Sequence, residues 1–276
     1  MRLYKAKSGV IIEKENKFYS AANENWDTFI NDDSLLQKME QRIQSLPVSA
    51  GDMAKDIMAP IGSSQELWAC GVTYLRSKVG RQEESKASGG ADFYGKVYEA
   101  ERPEVFFKST PHRIVGTNDF VRIRKDSTWD VPEPELTLVV TSSGKIIGYT
   151  IGNDMSSRSI EGENPLYLPQ AKTYDKCAAL GPCIYITGQP LGSNTKIQLV
   201  INRNNQTVFQ DSIAISQMKR TPQELVSFVY RECSFPHGCL IMTGTGIVPG
   251  NDFTLKSGDE IKISIDHIGT LINTVQ

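Results

Sequence analysis

The sequence predicts an α+β fold dominated by strands, with a small N-terminal α/β domain over residues 1–60 and a larger domain over residues 61–276. Three observations carry this expectation. From Leu67 onward, short strand-like runs recur at fairly regular spacing, separated by turn signals. Before them, the stretch 58–66, MAPIGSSQE, is dense in turn formers and reads as a connector. The chain has 276 residues, 39% apolar and 22% charged, enough for one well-buried core and a smaller unit beside it.

Taken in order, residues 1–20 read as two short strands around Ser8-Gly9. Residues 26–46, WDTFINDDSLLQKMEQRIQSL, carry apolar residues at helical spacing and stop before Pro47. Beyond the connector the strand-like runs are LWACGVTY, EVFFKS, ELTLVV, KIIGYTIG, CIYITG, KIQLVINRNN, CLIMTGTG and EIKISIDHIGTL. Together they describe a largely antiparallel domain with a few helices. One helix is predicted over 221–233, TPQELVSFVYREC, with Thr221 as its cap and Pro222 in its first position. The segment 76–100, RSKVGRQEESKASGGADFYGKVYEA, is polar and holds Gly89-Gly90. It reads either as a mobile excursion or lid, or as a solvated helix.

Composition narrows the function classes. A formal net charge of -2 gives no electrostatic reason for binding nucleic acid or an anionic membrane. The N-terminus, MRLYKAKSGVIIEKENK, is charged throughout and lacks the apolar core of a signal peptide. No run approaches the roughly 20 apolar residues of a membrane span. The five cysteines are odd in number and form no C-x-x-C, which fits a reduced, cytoplasmic protein. With only His112, His237 and His267 in the chain, the sequence argues against a multi-histidine metal site. A hard metal held by oxygen remains open.

The stretch WDVPEPELTLVV, residues 129–140, poses a chemical question. It reads as a strand, yet two carboxylates, Glu133 and Glu135, stand at its start, separated only by Pro134. Alternation along a strand points both to the same face, with Cα atoms roughly 6.6 Å apart. Pro134 lacks a ladder donor and suits a strand start or an edge. The next turn signal is TSSGK, 141–145. A hairpin centred between Ser143 and Gly144 brings Asp154 opposite Glu133. Three carboxylates on one patch raise one another's pKa values, and a bound divalent cation removes that conflict. An all-oxygen set favours Mg²⁺, Mn²⁺ or Ca²⁺ over zinc. The ordinary alternative is a solvated strand start, with Asp154 capping a turn.

Four blocks now stand in order: VPEPELTLVV, GYTIGNDMSSRSIEGENP, LPQAKTYDKCAALGP and MTGTGIVP with FTLKSGDEIKISIDHIGTL. Together they resemble the signature of the fumarylacetoacetate hydrolase superfamily, over about residues 67–276. The resemblance implies a mixed, roll-like β core behind a small N-terminal domain. It also implies assembly as a homodimer or dimer of dimers, and a divalent metal, Mg²⁺ first with Mn²⁺ or Ca²⁺ also possible. By motif position the metal carboxylates are Glu133, Glu135 and Asp154. One departure matters. Hydrolases and decarboxylases of the superfamily carry N-Y-x-x-H, whose histidine activates water. Here the block is GVTYLRSK, with Thr73 at the asparagine and Ser77 at the histidine. The blocks TYLRSK and AERPEVFFKST are instead similar to the branch that dehydrates 2-keto-3-deoxy sugar acids. A second departure puts Ser159 where the family has aspartate.

The chemistry implied is metal-dependent dehydration of a 2-keto acid. A metal ion polarises the keto oxygen, a base removes a C3 proton, and the metal-stabilised enolate expels the 4-hydroxyl. For 2-dehydro-3-deoxy-D-arabonate the product is 2,5-dioxopentanoate. Lys172 matches the lysine the family places over the metal, to stabilise the enolate or carry the proton. Glu104, just before the apolar EVFF strand, is the candidate base; a surface strand-start carboxylate is its plain alternative. Thr245, between glycines in TGTG, resembles the family's threonine on the substrate carboxylate. Thr73, Arg76 and Lys108 complete the substrate-binding candidates, with surface roles as the alternative for Arg76 and Lys108. Two rival readings stay open: a C–C bond hydrolase or decarboxylase of an acylpyruvate or diketo acid, and a non-catalytic sugar-acid-binding protein.

Overall fold

The computed structural model describes residues 1–22, 24–48, 56–86 and 89–276. The chain opens with three strands, β1 (Arg2–Ala6), β2 (Gly9–Lys14) and β3 (Lys17–Ala21), one more than predicted. The second turn is Glu15-Asn16, both at left-handed φ of 52° and 60°. That geometry matches the strand twist a two-residue hairpin needs, but it is built here without glycine, so its sequence signal is weak. The single helix expected over 26–46 is two, α1 (Trp26–Ile30) and α2 (Leu35–Arg42). Between them lies Asn-Asp-Asp-Ser, residues whose side chains compete with the helical backbone. Asp32 accepts from Ser34 N, and Asn31 and Asp33 bond instead to Ser142, Ser143 and Thr141.

After the connector come β4 (Glu66–Gly71), α3 (Leu75–Glu84), α4 (Ala91–Glu99) and β5 (Glu104–Ser109). The polar segment 76–100 therefore holds two helices, of which α3 is half turned inward: Ser77, Gly80 and Arg81 are buried. Short strands β6 (Ile114–Val115), β7 (Phe120–Val121) and β8 (Asp130–Val131) lead into the central hairpin of β9 (Pro134–Val140) and β10 (Ile146–Asp154). There follow β11 (Ser156–Ser157), α5 (Arg158–Glu163), α6 (Leu168–Lys172), β12 (Ala178–Tyr185), β13 (Lys196–Arg203) and β14 (Gln206–Ala214). The chain ends with α7 (Pro222–Val229), β15 (Cys239–Met242), β16 (Glu260–Ile265) and β17 (Gly269–Val275). As predicted, Thr221 caps α7, its hydroxyl accepting from Glu224 N, and Pro222 takes the first position.

The strands form a large mixed sheet, ordered β3-β2-β1-β12-β10-β9-β15-β4-β5 with β6 beside β12. A second sheet runs β14-β13-β16-β17-β7. One core lies between the sheets, where Leu136, Leu138 and Ile151 meet Leu199, Ile263 and Leu271. A second core covers the other face of the large sheet, where Phe29, Leu35 and Met39 meet Ile184, Leu240 and Met242. β1 pairs antiparallel with β12, Leu3 opposite Ile184, so the N-terminal strands extend the same sheet that carries β9 and β10. β9 is buried along its whole length, which explains why its sequence is an apolar run rather than an alternation.

Candidate active site

The β9–β10 hairpin builds the centre of the site. Gly152 lies opposite Glu135 and Asn153 opposite Pro134. One step further, Glu133 N donates to Asp154 O at 3.2 Å and Asp154 N to Glu133 O at 2.9 Å. This is the predicted register, reached by a route the sequence did not reveal. The turn closes through Thr141 N donating to Lys145 O, one residue out of step, and a bulge between Ile146 and Gly148 restores the count. Oxygens of Glu133, Glu135 and Asp154 then converge to within 4.8 Å of one another, all buried. Pro134 is the first residue of a central strand, where no ladder donor is required of it.

The three carboxylates sit in unlike surroundings. Lys172 Nζ lies 2.6 Å from Glu133 Oε2, 2.9 Å from Asp154 Oδ2 and 2.7 Å from Ser156 Oγ. Lys108 Nζ lies 2.6 Å from Asp154 Oδ1. Burial pushes the Asp154 carboxyl up, but Lys108 and Lys172 outweigh it and hold it below the usual range. Glu135 receives one backbone donor, Gly244 N at 2.6 Å. Burial, then the neighbouring Asp154 and Glu133, push its carboxyl well above the usual range. A triad with this surplus of negative charge and only oxygen donors fits a hard divalent cation.

Buried charge surrounds the triad. On Glu133 Oε1 two guanidinium groups converge, Arg81 Nη2 and Arg158 Nη2, each at 3.2 Å. Arg81 also pairs with Glu161, and Arg158 with Glu84. Sequence reasoning missed this quartet. Arg81 and Glu84 lie in a segment that reads as a lid or a solvated helix, although their spacing puts them on one helical face. Arg158 and Glu161 fall inside the GYTIGNDMSSRSIEGENP block, which is the sequence signal that could have found them.

The other predicted residues are placed as follows. Thr245 lines the cavity, its hydroxyl bonded to Ile247 N and O. Glu104 begins β5 opposite Gly71, its carboxyl lying over that glycine, which itself lines the cavity. Burial pushes the Glu104 carboxyl up, against the pull of Arg81 and Lys172. Lys108 is fully buried and holds Asp154 together with the carbonyls of Met155 and Lys172. Thr73 donates to Thr243 O at 2.7 Å and so braces the TGTG turn. Lys108, Thr73 and Glu104 do not stand among the residues lining the cavity. Lys108 and Thr73 are held by the site's own groups and support it, whereas the Glu104 carboxyl lies directly beside Gly71, a lining residue with no side chain to intervene. Arg76 is not brought in: it is exposed on α3, near Val248 O and Glu83. Ser77, at the position of the family's histidine, faces the cavity and donates to Tyr74 O. His112 lies in a separate groove, beside Thr110. Ser159 bonds to Ser127 and to Thr128 N, outside the cavity.

Carboxylates presented by a central hairpin, with two lysines behind them and a helix over them, define an enzyme that works on an oxygen-rich ligand through a bound divalent cation. The chain belongs to the fumarylacetoacetate hydrolase family: residues 79–276 match the model for the C-terminal region of fumarylacetoacetate (FAA) hydrolase. It is similar to a "Probable 2-keto-3-deoxyxylonate dehydratase" of Haloferax volcanii, 48% identical over 214 residues, 77% of this chain and 72% of that protein. It is similar also to the 2-dehydro-3-deoxy-D-arabinonate dehydratase of Saccharolobus solfataricus, 44% identical over 214 residues, 76% and 72% of the two chains. A solved structure of 2-keto-3-deoxy-D-arabinonate dehydratase, complexed with magnesium and 2,5-dioxopentanoate, superposes with a TM-score of 0.83. It is 33% identical, and the match covers 100% of this chain and 99% of that one.

Proposed function

We propose that this protein is a metal-dependent hydro-lyase that converts 2-dehydro-3-deoxy-D-arabonate, or a close 2-keto-3-deoxy sugar acid, to 2,5-dioxopentanoate. The observation that carries the reading is Ser77. The carboxylate triad, Lys172 and the TGTG turn are all in place, while the position that would hold a water-activating histidine presents a small hydroxyl tied to its own helix. Dehydration needs no attacking water. The dehydratase names of the relatives and the product held by the magnesium complex support the same choice.

Glu133, Glu135 and Asp154 would hold Mg²⁺, which supplies Lewis acidity at the keto and carboxylate oxygens of a bound 2-keto acid. The protein's own groups do the rest. Glu104 takes the C3 proton: it is half-buried, its carboxyl has a raised proton affinity, and it lies against the cavity wall at Gly71. Lys172 places a buried ammonium where negative charge develops, held by three acceptors that fix its position. Lys108 positions Lys172 through its backbone carbonyl. Gly244 N orients Glu135, and Thr245 beside it faces the substrate's carboxylate end.

Protein incubated with Mg²⁺ and 2-keto-3-deoxy-arabonate and followed by proton NMR gives an aldehyde signal, lost with EDTA or in Glu135→Ala. Cleavage of an acylpyruvate instead would make the protein a hydrolase, and binding without turnover would leave a sugar-acid-binding protein. No helix among the described residues is long and apolar enough to cross a membrane. With five cysteines unpaired, four of them buried, a reduced cytoplasmic setting suits the chain. A homodimer or dimer of dimers is the assembly we expect, to be checked by light scattering.

A further inference from the structure

Two arginines share one oxygen of Glu133, and one would be enough to orient it. They differ in what carries them. Arg158 opens α5 directly after β11, lies over the Trp129 ring at 5.9 Å and belongs to the body of the protein. Arg81 rides on α3, four residues beyond Ser77, so both side chains share one helical face. Both line the cavity. If α3 shifts, Arg81 travels with it while Arg158 keeps its hold on Glu133.

The cavity as it stands leaves about 10 Å³ of room, roughly one water. A pentonate needs far more, so one wall has to move. Three strands that carry its walls, β4, β9 and β10, are interior members of the large sheet. The wall made by α3 meets α5 through the crossed pairs Arg81–Glu161 and Glu84–Arg158. The keto-acid end of a substrate belongs at the carboxylate triad, beside Gly244 and Thr245. Its hydroxylated tail then runs toward the side of the cavity formed by α3, which presents Ser77 and, beside Glu133, Arg81.

The geometry points to Arg81 as the residue that reads this tail: it leaves Glu133 Oε1 to Arg158, with Lys172 still on Oε2, and donates to the C4 and C5 hydroxyl oxygens of the sugar acid. A guanidinium offers its donors as a planar fork, which suits two neighbouring oxygens. The assignment rests on the dehydratase reading and adds the group that sets substrate specificity within it. It also moves to Arg81 the substrate-holding role that the sequence suggested for Arg76, five residues earlier on the same helix.

The test uses Arg81→Met and Arg81→Lys, with Arg81→Met/Glu161→Gln as a variant that leaves no uncompensated carboxylate at Glu161. Four quantities are measured on the full chain: KM and kcat for 2-keto-3-deoxy-arabonate with Mg²⁺, the inhibition constant of pyruvate, and Mn²⁺ affinity by electron paramagnetic resonance without substrate. Pyruvate shares the keto-acid end and lacks the hydroxyl tail. In both Met variants KM rises at least about tenfold, since even one of the two charge-assisted hydrogen bonds is worth that much, and Lys recovers part of it. Pyruvate inhibition and Mn²⁺ affinity stay within about twofold of wild type, because Arg158 still holds Glu133. Pyruvate inhibition or Mn²⁺ affinity weakening in step with KM would overturn the assignment, placing Arg81 at the keto-acid end or on the metal ligand. An unchanged KM in folded variants would overturn it outright. Absence of turnover by the wild type sinks the dehydratase reading first, through a different observation.

Discussion

Replacing Glu104 with glutamine separates chemistry from folding. Glutamine keeps the shape and cannot take a proton. The Glu104 carboxyl lies over Gly71, and burial lifts its proton affinity despite the pull of Arg81 and Lys172. Loss of a positioned general base costs about 10²–10⁴ in kcat, or roughly 3–5 kcal/mol of barrier. Stability moves the other way. A carboxyl whose folded pKa exceeds its ordinary 4.5 binds its proton more tightly when folded, so it lowers stability fully above the folded pKa. That loss is returned as pH falls through the folded value toward 4.5. Metal-free Glu104→Gln therefore melts higher than wild type at alkaline pH, and the gap closes in mildly acidic buffer. Turnover is read by NMR in Mg²⁺, melting by fluorescence in EDTA. A variant that keeps more than about a tenth of wild-type kcat refutes Glu104 as the base. A variant that melts lower at alkaline pH refutes the account of its burial. Gly71→Ala offers an independent check, since its Cβ would come 1.8 Å from Glu104 Oε2 and push that carboxyl aside. It should lower kcat and leave Mn²⁺ affinity unchanged.

Lys172→Met should lower stability by about 3–5 kcal/mol in EDTA, because Glu133 and Asp154 lose a shared buried partner. Excess Mg²⁺ should restore much of it, and equal melting with and without metal would contradict the triad as the ion's site. Gly244→Ala should weaken metal binding and the fold together. Its φ is 93°, and an added Cβ would lie 2.1 Å from Thr73 Oγ1, displacing the N–H that holds Glu135; a cost below about 1 kcal/mol by urea titration would count against this. Asp130 is pushed up to about 6 by burial, with Oδ1 lacking a partner. Its ionised form lowers stability above that pH, and the loss is relieved as pH falls toward 3.8. Asp130→Asn should raise Tm by about 2–4 °C near pH 8, trimmed by solvent screening, with no gain near pH 4.

How far the sequence could be read depended on the range of the interactions. Glu133, Glu135 and Asp154 were legible because one hairpin joins them, and alternation with turn length determines what lies opposite what. The cap of α7 was legible because Thr221 and Pro222 act within one turn. The fold class was legible from the recurring strands, and the four blocks gave the family. Arg81 and Glu84 were not, because their partners Glu133, Glu161 and Arg158 lie at least 52 residues away from Arg81 or on another helix. Nothing local distinguishes a charge that faces water from one that faces a buried carboxylate. The break between α1 and α2 depends likewise on remote acceptors and donors at the β9–β10 turn. His112 was left open by the sequence, and the third dimension put it in another groove.

The bulge between Ile146 and Gly148 makes the hairpin a ruler. The TSSGK turn sits roughly 25 Å from Asp154 along β10, among residues that elsewhere would tolerate insertion. Here the number of residues from that turn to Asp154 decides which side chain arrives beside Glu133. Take away the bulge while keeping every residue, so that Ile147 pairs with Val139, and the strand slides by one. Asn153 would then stand where Asp154 stands, with the carboxylate turned to the opposite face of the sheet. A surface turn remote from any ligand is thereby fixed in length by what happens at the far end of its strands, whatever its composition. Lineages of this chain are free to change the letters of the turn, and a single-residue gain or loss would have to be matched by another before the strand ends.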